Sequence, residues 1–293
     1  MKIEVMSLYK TFRADTVLAD INLAIEPGQI FGLIGENGAG KTTLIKCITG
    51  VYQPDQGAVY IGGKTAYENP TVKVEIGYVA EENQYFPSYR ICELLSFYSL
   101  AYPRFSIDRF YELNQIFGVA DKARVKELSK GMQMRLALML SLSIQPAVLV
   151  LDEPTSGLDP LVKREAMNLI LQEVESRAVT VLISSHHLSD LERICDTIGI
   201  IASGRMKAVH SLVELKQKMR KLQLVFSQDA PADLTAWPEV LAVEKVGRIH
   251  HIITKQYSEK LLNKLRQMRP LVLEEIPLEL EDMFIYAAKE VQP

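Results

Sequence analysis

The feature that most restricts the fold of this 293-residue chain is a glycine-rich segment, Gly35-Glu-Asn-Gly-Ala-Gly-Lys-Thr42. An apolar run typical of a buried strand precedes it at Gln29–Ile34, and a helical pattern follows at Lys41–Lys46. The spacing fits G-x-x-x-x-G-K-[ST], the pattern of a loop that wraps phosphate groups between a strand and a helix. A glycine-rich turn without a ligand is the alternative, and the order of strand, loop and helix argues against it.

The residue types of this loop are suited to a triphosphate. Its glycines let successive backbone N–H groups point at phosphate oxygens, with the positive end of the helix behind them. Lys41 adds a charge for the β and γ phosphates, Thr42 a hydroxyl for Mg²⁺, and Thr43 a polar contact near the α phosphate. The predicted contacts are Gly35, Asn37, Gly38, Ala39, Gly40, Lys41, Thr42 and Thr43.

A second motif, Val148-Leu-Val-Leu-Asp-Glu153, is an apolar strand that ends in two carboxylates. We predict that Asp152 lies near Mg²⁺ and that Glu153 accepts a proton from an attacking water. Adjacent carboxylates resist joint ionisation, and the charge of a metal offsets that repulsion. The alternative is an acidic boundary between a strand and a loop.

Composition excludes several classes of protein. Hydrophobic residues at 48% and charged residues at 24% are typical of globular proteins. A net charge of −3 argues against recruitment by duplex nucleic acid. Polar residues and Pro146 interrupt the apolar stretch Leu136–Leu151, which predicts a helix and a strand and no membrane span. We expect no secretory signal and a reducing cytoplasm, because the three cysteines are far apart and form no CxxC pair: Cys47, Cys92 and Cys195.

The remaining pattern predicts an α/β protein with a second, smaller part after His210. Helical sequence with breaks at Pro103 and Gly118 fills Arg90–Ser143, and a small α+β unit is predicted towards the C-terminus. The predicted strands are Ile3–Leu8, Val17–Ile25, half of a hairpin at Gly57–Gly63, Ala147–Leu151, Val179–Ser184, Leu222–Phe226, Val240–Val246, Ile249–Thr254 and Leu271–Glu275. The other predicted helices are Leu161–Ser176, Leu212–Lys221, Ser258–Met268 and Leu278–Lys289.

Further segments resemble the ATP-binding cassette (ABC) family in order and spacing over roughly residues 1–210. Leu128-Ser-Lys-Gly-Met132 resembles the signature LSGGQ, Ser156-Gly-Leu-Asp159 resembles the D-loop, and His186 resembles the switch histidine. Phe12 occupies the place of the aromatic residue that stacks on adenine, and Glu81 that of the Q-loop glutamine. The resemblance implies a P-loop NTPase cassette at residues 1–212, with a mixed core sheet, an antiparallel β annex and a helical subdomain at about 85–145. Residues 213–293 would form a small C-terminal α+β accessory domain.

The resemblance also implies ATP and Mg²⁺ as cofactors, ATP hydrolysis, and an ABC-2-like exporter whose membrane subunit is a separate chain. The residues that the resemblance implies to be catalytic are Lys41, Glu153 and His186. Those implied to contact the metal are Thr42, Asp152 and Glu81. Nucleotide contacts beyond the loop fall on Phe12, Glu81, Ser129, Gly131 and Asp159, of which Ser129 and Gly131 would meet the ATP of a partner subunit.

Glu81, Lys130 and Met132 depart from the family consensus, and none of these departures removes a part needed for hydrolysis. Lys130 either lies beside the triphosphate or faces solvent. Leu280-Glu-Asp-Met-Phe284 resembles a C-terminal segment of bacterial exporter cassettes.

The implied partners are a second copy or a related cassette, and separate transmembrane permease subunits, with no nucleic acid expected. The implied location is cytoplasmic, at the inner face of the membrane through the permease. The alternative function is a soluble cassette ATPase with a regulatory or ribosome-linked role. A nucleotide-dependent scaffold with little hydrolysis is disfavoured by Glu153 and His186.

Several side chains have a second interpretation. Phe12 alone suits core packing, but its place two residues after Lys10 favours adenine. His186, His187 and Asp190 suggest a metal site, yet adjacent histidines on a strand point to opposite faces, which argues against zinc. We predict that His187 is exposed.

Aromatic residues are concentrated between Tyr85 and Phe117. They build either the core of a helical subdomain or a groove for a partner, and we place a docking surface for the membrane subunit at Tyr85–Tyr102. The basic residues between Lys216 and Lys221 predict a solvated helix face in preference to a lipid or nucleic-acid contact.

Overall fold

The computed structural model describes residues 1–82, 85–186, 188–227, 233–280, 282–283 and 286. The chain divides into two compact units, 1–209 and 210–293. Each unit has a hydrophobic core of its own. None of the helices in the described ranges combines the length and the apolar character that crossing a bilayer requires. The functional division into domains at 212 and 213 stays a prediction.

The first unit consists of two sheets and a group of helices. Its strands, the last of which runs past the unit boundary, are β1 Ile3–Phe12, β2 Asp15–Ile25, β3 Ile30–Ile34, β4 Gln56–Ile61, β5 Lys64–Thr65, β6 Ile76–Val79, β7 Val148–Asp152, β8 Thr180–Ser185, β9 Thr197–Ala202 and β10 Arg205–Ser211. Its helices are α1 Lys41–Ile48, α2 Pro70–Lys73, α3 Ile91–Ala101, α4 Ile107–Phe117, α5 Lys130–Ser143, α6 Pro160–Arg177 and α7 Leu188–Leu191, with a 3₁₀ turn at Val125–Glu127.

The central sheet brings three loop-forming strand ends to one edge. Its strand order is β10-β9-β3-β8-β7-β6, and β3, β6, β7, β8 and β9 run parallel to their neighbours in this group. Strands β7 and β8 are buried throughout, as expected for parallel strands covered on both faces. Asp152 lies beside Ser184, and Ile34 beside Ser185, so the loops that follow β3, β7 and β8 start close together.

The annex is a separate antiparallel sheet with the order β2-β1-β4-β5. Its inward residues alternate along β1 and β2, as the pleat of a half-buried strand requires. The helical breaks predicted at Pro103 and Gly118 are confirmed, because α3 ends before Pro103 and α4 ends at Gly118. Helix α5 is buried over most of its length, since it packs against both α4 and β6.

The second unit is an antiparallel sheet covered by an amphipathic helix. Residues Leu261, Leu262 and Leu265 of the helix share a core with Leu224 and Ile252 of the sheet. The elements are α8 Leu212–Lys218, β11 Lys221–Val225, β12 Val240–Val246, β13 Ile249–Thr254, α9 Glu259–Gln267 and β14 Val272–Ile276, with a 3₁₀ turn at Leu234–Ala236 and the strand order β12-β13-β11-β14.

The predicted fold class is thus confirmed: a mixed core sheet, an antiparallel annex, a helical segment and a small α+β unit. The helix predicted at Leu212–Lys221 is shorter, because the chain becomes extended at Met219 and Lys221 pairs with Ile253. Half of the predicted helix Leu278–Lys289 lies outside the described residues, including Glu281 and Phe284 of the exporter-like segment.

Candidate active site

The glycine-rich loop joins β3 to α1 at the edge of the central sheet. Gly40 immediately precedes the helix with a φ of +108°, a left-handed conformation that side chains other than glycine rarely adopt. The first residues of α1, whose N–H groups have no acceptor within a helix, line the cavity beside the loop. The loop therefore has the backbone shape that the sequence pattern predicts.

Lys41 is held inside this loop. Its ammonium donates hydrogen bonds to the carbonyl oxygens of Gly35 at 2.7 Å and Glu36 at 3.3 Å. The same nitrogen lies 3.8 Å from Oε1 of Glu153, and both side chains are buried. A buried charge of each sign is thus paired across the cavity, which offsets part of the cost of burying either one.

Glu153 lies between Lys41 and His186. Its Oε2 is 2.8 Å from Nδ1 of His186. Because an ionised carboxylate only accepts hydrogen bonds, Nδ1 carries the proton in this contact whenever Glu153 is ionised. Glu153 also has a φ of +49°, which is uncommon for a side chain of this size and occurs most often where surrounding structure enforces it.

The two carboxylate oxygens of Asp152 differ in their hydrogen bonding. Its Oδ1 accepts a hydrogen bond from Ser184 Oγ at 2.6 Å, and that hydroxyl accepts one from the Glu153 N–H at 3.0 Å. Among the residues that the structure describes, its buried Oδ2 has no hydrogen-bond partner, and neither has the buried hydroxyl of Tyr78. Burial, with a smaller contribution from the Asp152 charge, raises the pKa of Tyr78.

Two adjoining cavities receive these groups. The first, about 510 Å³, lies along the loop, and the second, about 440 Å³, includes Asp152 and Tyr78. Thr42 and Glu81 line both cavities, so they lie where the two meet. Most of the predicted site residues thus come together: the first cavity is lined by Val17, Glu36, Asn37, Gly38, Gly40, Lys41, Thr42, Thr43, Glu81, Glu153 and His186.

Other predicted residues do not line either cavity. Phe12 is 39% exposed at the end of β1, where its ring packs edge-on to Tyr52 with centroids 5.3 Å apart and lies below the Lys10 ammonium. The Gly35 carbonyl accepts a hydrogen bond from Lys41, and Ala39 is buried in the core that the annex shares with α1 and the central sheet. His187 lies outside the described residues.

The signature-like and D-loop-like segments pack on each other, away from both cavities. A side chain at Gly131 would place its Cβ 2.9 Å from the carbonyl oxygen of Gly157, so this approach requires glycine. Ser129 caps α5 by accepting from the Met132 N–H, and Asp159 caps α6.

Asp159 also pairs with a residue of the signature helix. Its Oδ2 accepts a hydrogen bond at 2.9 Å from Arg135 of α5. The hydrogen bond from the Val162 N–H and the charge of Arg135 lower the pKa of Asp159. The start of α6 is therefore tied to the second turn of α5.

Sequence reasoning missed some of the residues at this site. Ser184 joins Asp152 to the Glu153 backbone, and its signal was a hydroxyl residue at the end of a fully buried strand. Val17 lines the first cavity from the annex, which no local pattern predicts because β2 and the loop meet only in the folded chain.

The fold and the loop define a P-loop nucleotide-binding protein, and comparison with known proteins identifies its family. The sequence profile described as ABC transporter matches residues 18–156. The ABC transporter ATP-binding protein YtrB of Bacillus subtilis is 32% identical over 97% of this chain and 97% of its own length. The linearmycin resistance ATP-binding protein LnrL of the same species is 29% identical over 88% of this chain and 87% of its own length.

Among solved structures, the dimer of the ATP-binding cassette MJ0796 bound to ADP and phosphate, in a post-hydrolysis state, has the same fold. It superposes with a TM-score of 0.66 at 21% identity and covers 72% of this chain and 98% of that one. The chain belongs to the ABC transporter family: it is an ATP-binding subunit that hydrolyses ATP and acts on a separate membrane subunit.

Proposed function

We propose that this chain powers an exporter by closing with a second cassette around ATP and Mg²⁺, with Glu153 as the base of hydrolysis. The observation that carries the proposal is the placement of the Glu153 carboxylate between Lys41 and His186 on the wall of the loop cavity. A carboxylate at this position can reach a water beside the terminal phosphate while the two neighbouring groups hold its orientation.

In the proposed reaction, a water oxygen attacks the γ phosphorus of ATP and gives a proton to Glu153. The new oxygen–phosphorus bond replaces the bond to the bridging oxygen, which leaves with ADP. Lys41 stabilises the negative charge that spreads over the γ phosphate oxygens. For His186 to donate from Nε2 to the phosphate while Nδ1 donates to Glu153, its imidazole must be the cation.

The residues around the second cavity fit a magnesium ion. In the described part of the chain nothing hydrogen-bonds to the buried Oδ2 of Asp152, and Thr42 and Glu81 line the same cavity with their hydroxyl and carboxylate groups. Oxygen ligands of this kind, completed by phosphate oxygens and waters, are those that Mg²⁺ prefers. The ion would supply charge neutralisation at the β and γ phosphates. Glu81 adds a negative charge where the family has an amide, so we expect nucleotide binding to depend strongly on the metal.

The proposal assigns Ser129, Gly131 and Asp159 to the ATP of the partner cassette. Ser129 and Asp159 are exposed and Gly131 is half-buried, and none of the three lines this chain's own loop cavity, which supports a role across an interface. Each ATP is then held from both sides only in the closed pair, so ATP binding favours closure and hydrolysis reverses it. Phe12, exposed at the end of β1, is available to stack on adenine. The second cassette in this arrangement is an identical chain or a related one.

Export as the direction of transport is supported by similarity. LnrL is named for linearmycin resistance, and removal of a toxic compound from the cell is a direct way for a transporter to confer resistance. The similarity to LnrL extends over most of both chains, beyond the region that the family profile matches. We therefore place this chain at the inner face of the membrane, bound to its permease.

Replacing the proposed base tests the proposal. The variant Glu153→Gln keeps the shape of the side chain but removes its basicity, so we expect ATP binding to persist and phosphate release to fall by about 10²- to 10⁴-fold. The control is Glu175→Gln, an exposed substitution on α6 with the same change of charge. Hydrolysis at the wild-type rate in Glu153→Gln would exclude Glu153 as the base.

A further inference from the structure

A cationic cavity lies between α6 on one side and α7 with the segment that follows it on the other, apart from both cavities of the nucleotide site. It has a volume of about 500 Å³. Lys163 and Arg164 in the first turns of α6 and Arg193 after α7 line it, with Asp190 as its acidic residue. Three cations and one carboxylate leave the lining a charge of +2, whereas the whole chain carries −3.

The cations in this lining are unequally paired. Asp190 accepts a hydrogen bond from the Thr155 hydroxyl at 3.0 Å and lies 3.6 Å from the Lys163 ammonium. Within the part of the chain that the structure describes, the guanidinium groups of Arg164 and Arg193 form no ion pair and no hydrogen bond. Both side chains are exposed, so water solvates them, and an anion bound between them would gain charge-assisted hydrogen bonds from two guanidinium groups.

The chemistry of the lining selects the kind of anion. A guanidinium group binds a phosphate or a carboxylate through two parallel N–H···O hydrogen bonds. A phosphate offers more acceptor oxygens than a carboxylate, so it can bind two guanidinium groups at once. Asn168 adds an amide donor beside them, and Met167 supplies apolar surface for an organic group. The volume lies in the range of sites for small molecules.

From this geometry we propose that the cavity binds a small organic phosphate, at a site separate from the glycine-rich loop. Thr155 lies two residues after Glu153, and Asp190 lies four residues after His186. A phosphate bound here would therefore touch the two segments that carry the proposed catalytic pair. The inference rests on the groups that line this cavity and not on the roles assigned to Glu153 and His186.

Binding of inorganic pyrophosphate to the full chain tests the proposal, because both the loop and this cavity should accept it. Isothermal titration calorimetry in moderate salt is expected to show two classes of site in the wild type and one in Lys41→Ala. In the triple variant Lys41→Ala, Arg164→Ala, Arg193→Ala the remaining site should weaken by about tenfold or more, since each arginine contributes a charge-assisted bond.

Two controls separate the possible failures. Substituting Arg205 and Arg248, two exposed arginines elsewhere, in the Lys41→Ala background removes the same charge and should leave the site intact. The cavity proposal would be overturned if Lys41→Ala did not bind pyrophosphate. It would also be overturned if the triple variant bound pyrophosphate as tightly as Lys41→Ala does. Two classes of site persisting in Lys41→Ala would instead contradict the role of Lys41 in the loop. Binding to phosphatidylglycerol vesicles in place of pyrophosphate would also overturn it.

Discussion

At the scale of single residues, the nucleotide site depends on a buried lysine whose partners are backbone carbonyls and one carboxylate. The Lys41 ammonium donates hydrogen bonds to two loop carbonyl oxygens and at the same time forms an ion pair with Glu153. A phosphate entering the cavity would meet a cation that is already oriented and partly desolvated. Such a group binds a phosphate more strongly than a lysine that is free in solvent.

Removing that charge should weaken nucleotide binding itself. We expect Lys41→Ala to raise the Kd for ATP by about 10- to 100-fold, because a charge-assisted hydrogen bond contributes about 1.5–3 kcal/mol. Titration with a fluorescent ATP analogue measures the change. Lys64→Ala, an exposed lysine of β5, is the matched control. Equal affinity of Lys41→Ala and wild type would contradict the phosphate role of Lys41.

The sequence predicted that side chains at one edge of the central sheet meet at the cavity. It did not predict those that come from elsewhere. Lys41, Glu153 and His186 each follow a buried parallel strand, so their meeting follows from chain order and the rules of parallel sheets. Val17 comes from a separate sheet, and its position depends on how the annex packs. No local spacing encodes that packing, and only the structure gives it.

At the scale of secondary-structure elements, the aromatic segment divides into an inner and an outer set. Burial and the neighbouring Tyr98 raise the pKa of Tyr85, and burial raises that of Tyr98 to about 12. The Tyr98 ring packs on Tyr102 and Phe105. Phe86 at 55%, Phe97 at 48% and Leu100 at 89% are exposed instead. The inner set is half-buried and its rings pack on each other, and the docking hypothesis rests on the exposed outer set.

The docking hypothesis is tested on the exposed set, since substituting the inner tyrosines would disturb the fold. We expect Phe86→Ala, Phe97→Ala and Leu100→Ala together to weaken co-purification with a co-expressed membrane subunit by tenfold or more, at about 1 kcal/mol or more for each anchor. ATP binding by the isolated chain should be unchanged. Tyr111→Ala with Ile116→Ala, exposed on α4, is the control. Unchanged co-purification would refute a docking surface at this position.

Packing of the elements around the cysteines makes a second prediction. Burial raises the pKa of Cys47, on α1, to about 11, and burial also raises that of Cys195, which packs near Gly32 of β3. A raised pKa leaves these thiols protonated at neutral pH, and only the thiolate reacts. Cys92 is exposed.

A thiol reagent at neutral pH should therefore label Cys92 alone in the folded chain and all three cysteines in denaturant. Mass spectrometry of the intact protein counts the labels. Labelling of Cys47 should increase as pH rises towards 11, because the thiolate fraction grows. Labelling of Cys47 or Cys195 at the rate of Cys92 at neutral pH would show that α1 or β3 is not packed as described.

Helices and strands were predictable from sequence where the apolar periodicity agrees with the positions of proline and glycine. They were less predictable where such signals are missing. Pro103 and Gly118 divide the helical segment as predicted, since one residue removes a donor and the other favours a left-handed helix end. The helix predicted at Leu212–Lys221 is too long. Its apolar residues suit a helix as well as the strand β11, and pairing of Lys221 with Ile253, a contact distant in sequence, decides between the two.

At the scale of the whole molecule, the chain contains one half of the machinery that the proposal requires. The loop, base and histidine line its own cavity, while Ser129, Gly131 and Asp159 lie outside it. A single chain then holds the phosphates from one side only. In the proposed arrangement a second cassette supplies the other side, and the triphosphate joins the two polypeptides.

Sedimentation velocity of Glu153→Gln with saturating ATP and magnesium tests this claim most directly, because slow hydrolysis would keep the closed pair intact. We predict a dimer under these conditions, a monomer with ADP, and a monomer for the double variant Lys41→Ala, Glu153→Gln. If Glu153→Gln is saturated with ATP and still sediments as a monomer, the claim that two cassettes bind the nucleotide together is contradicted.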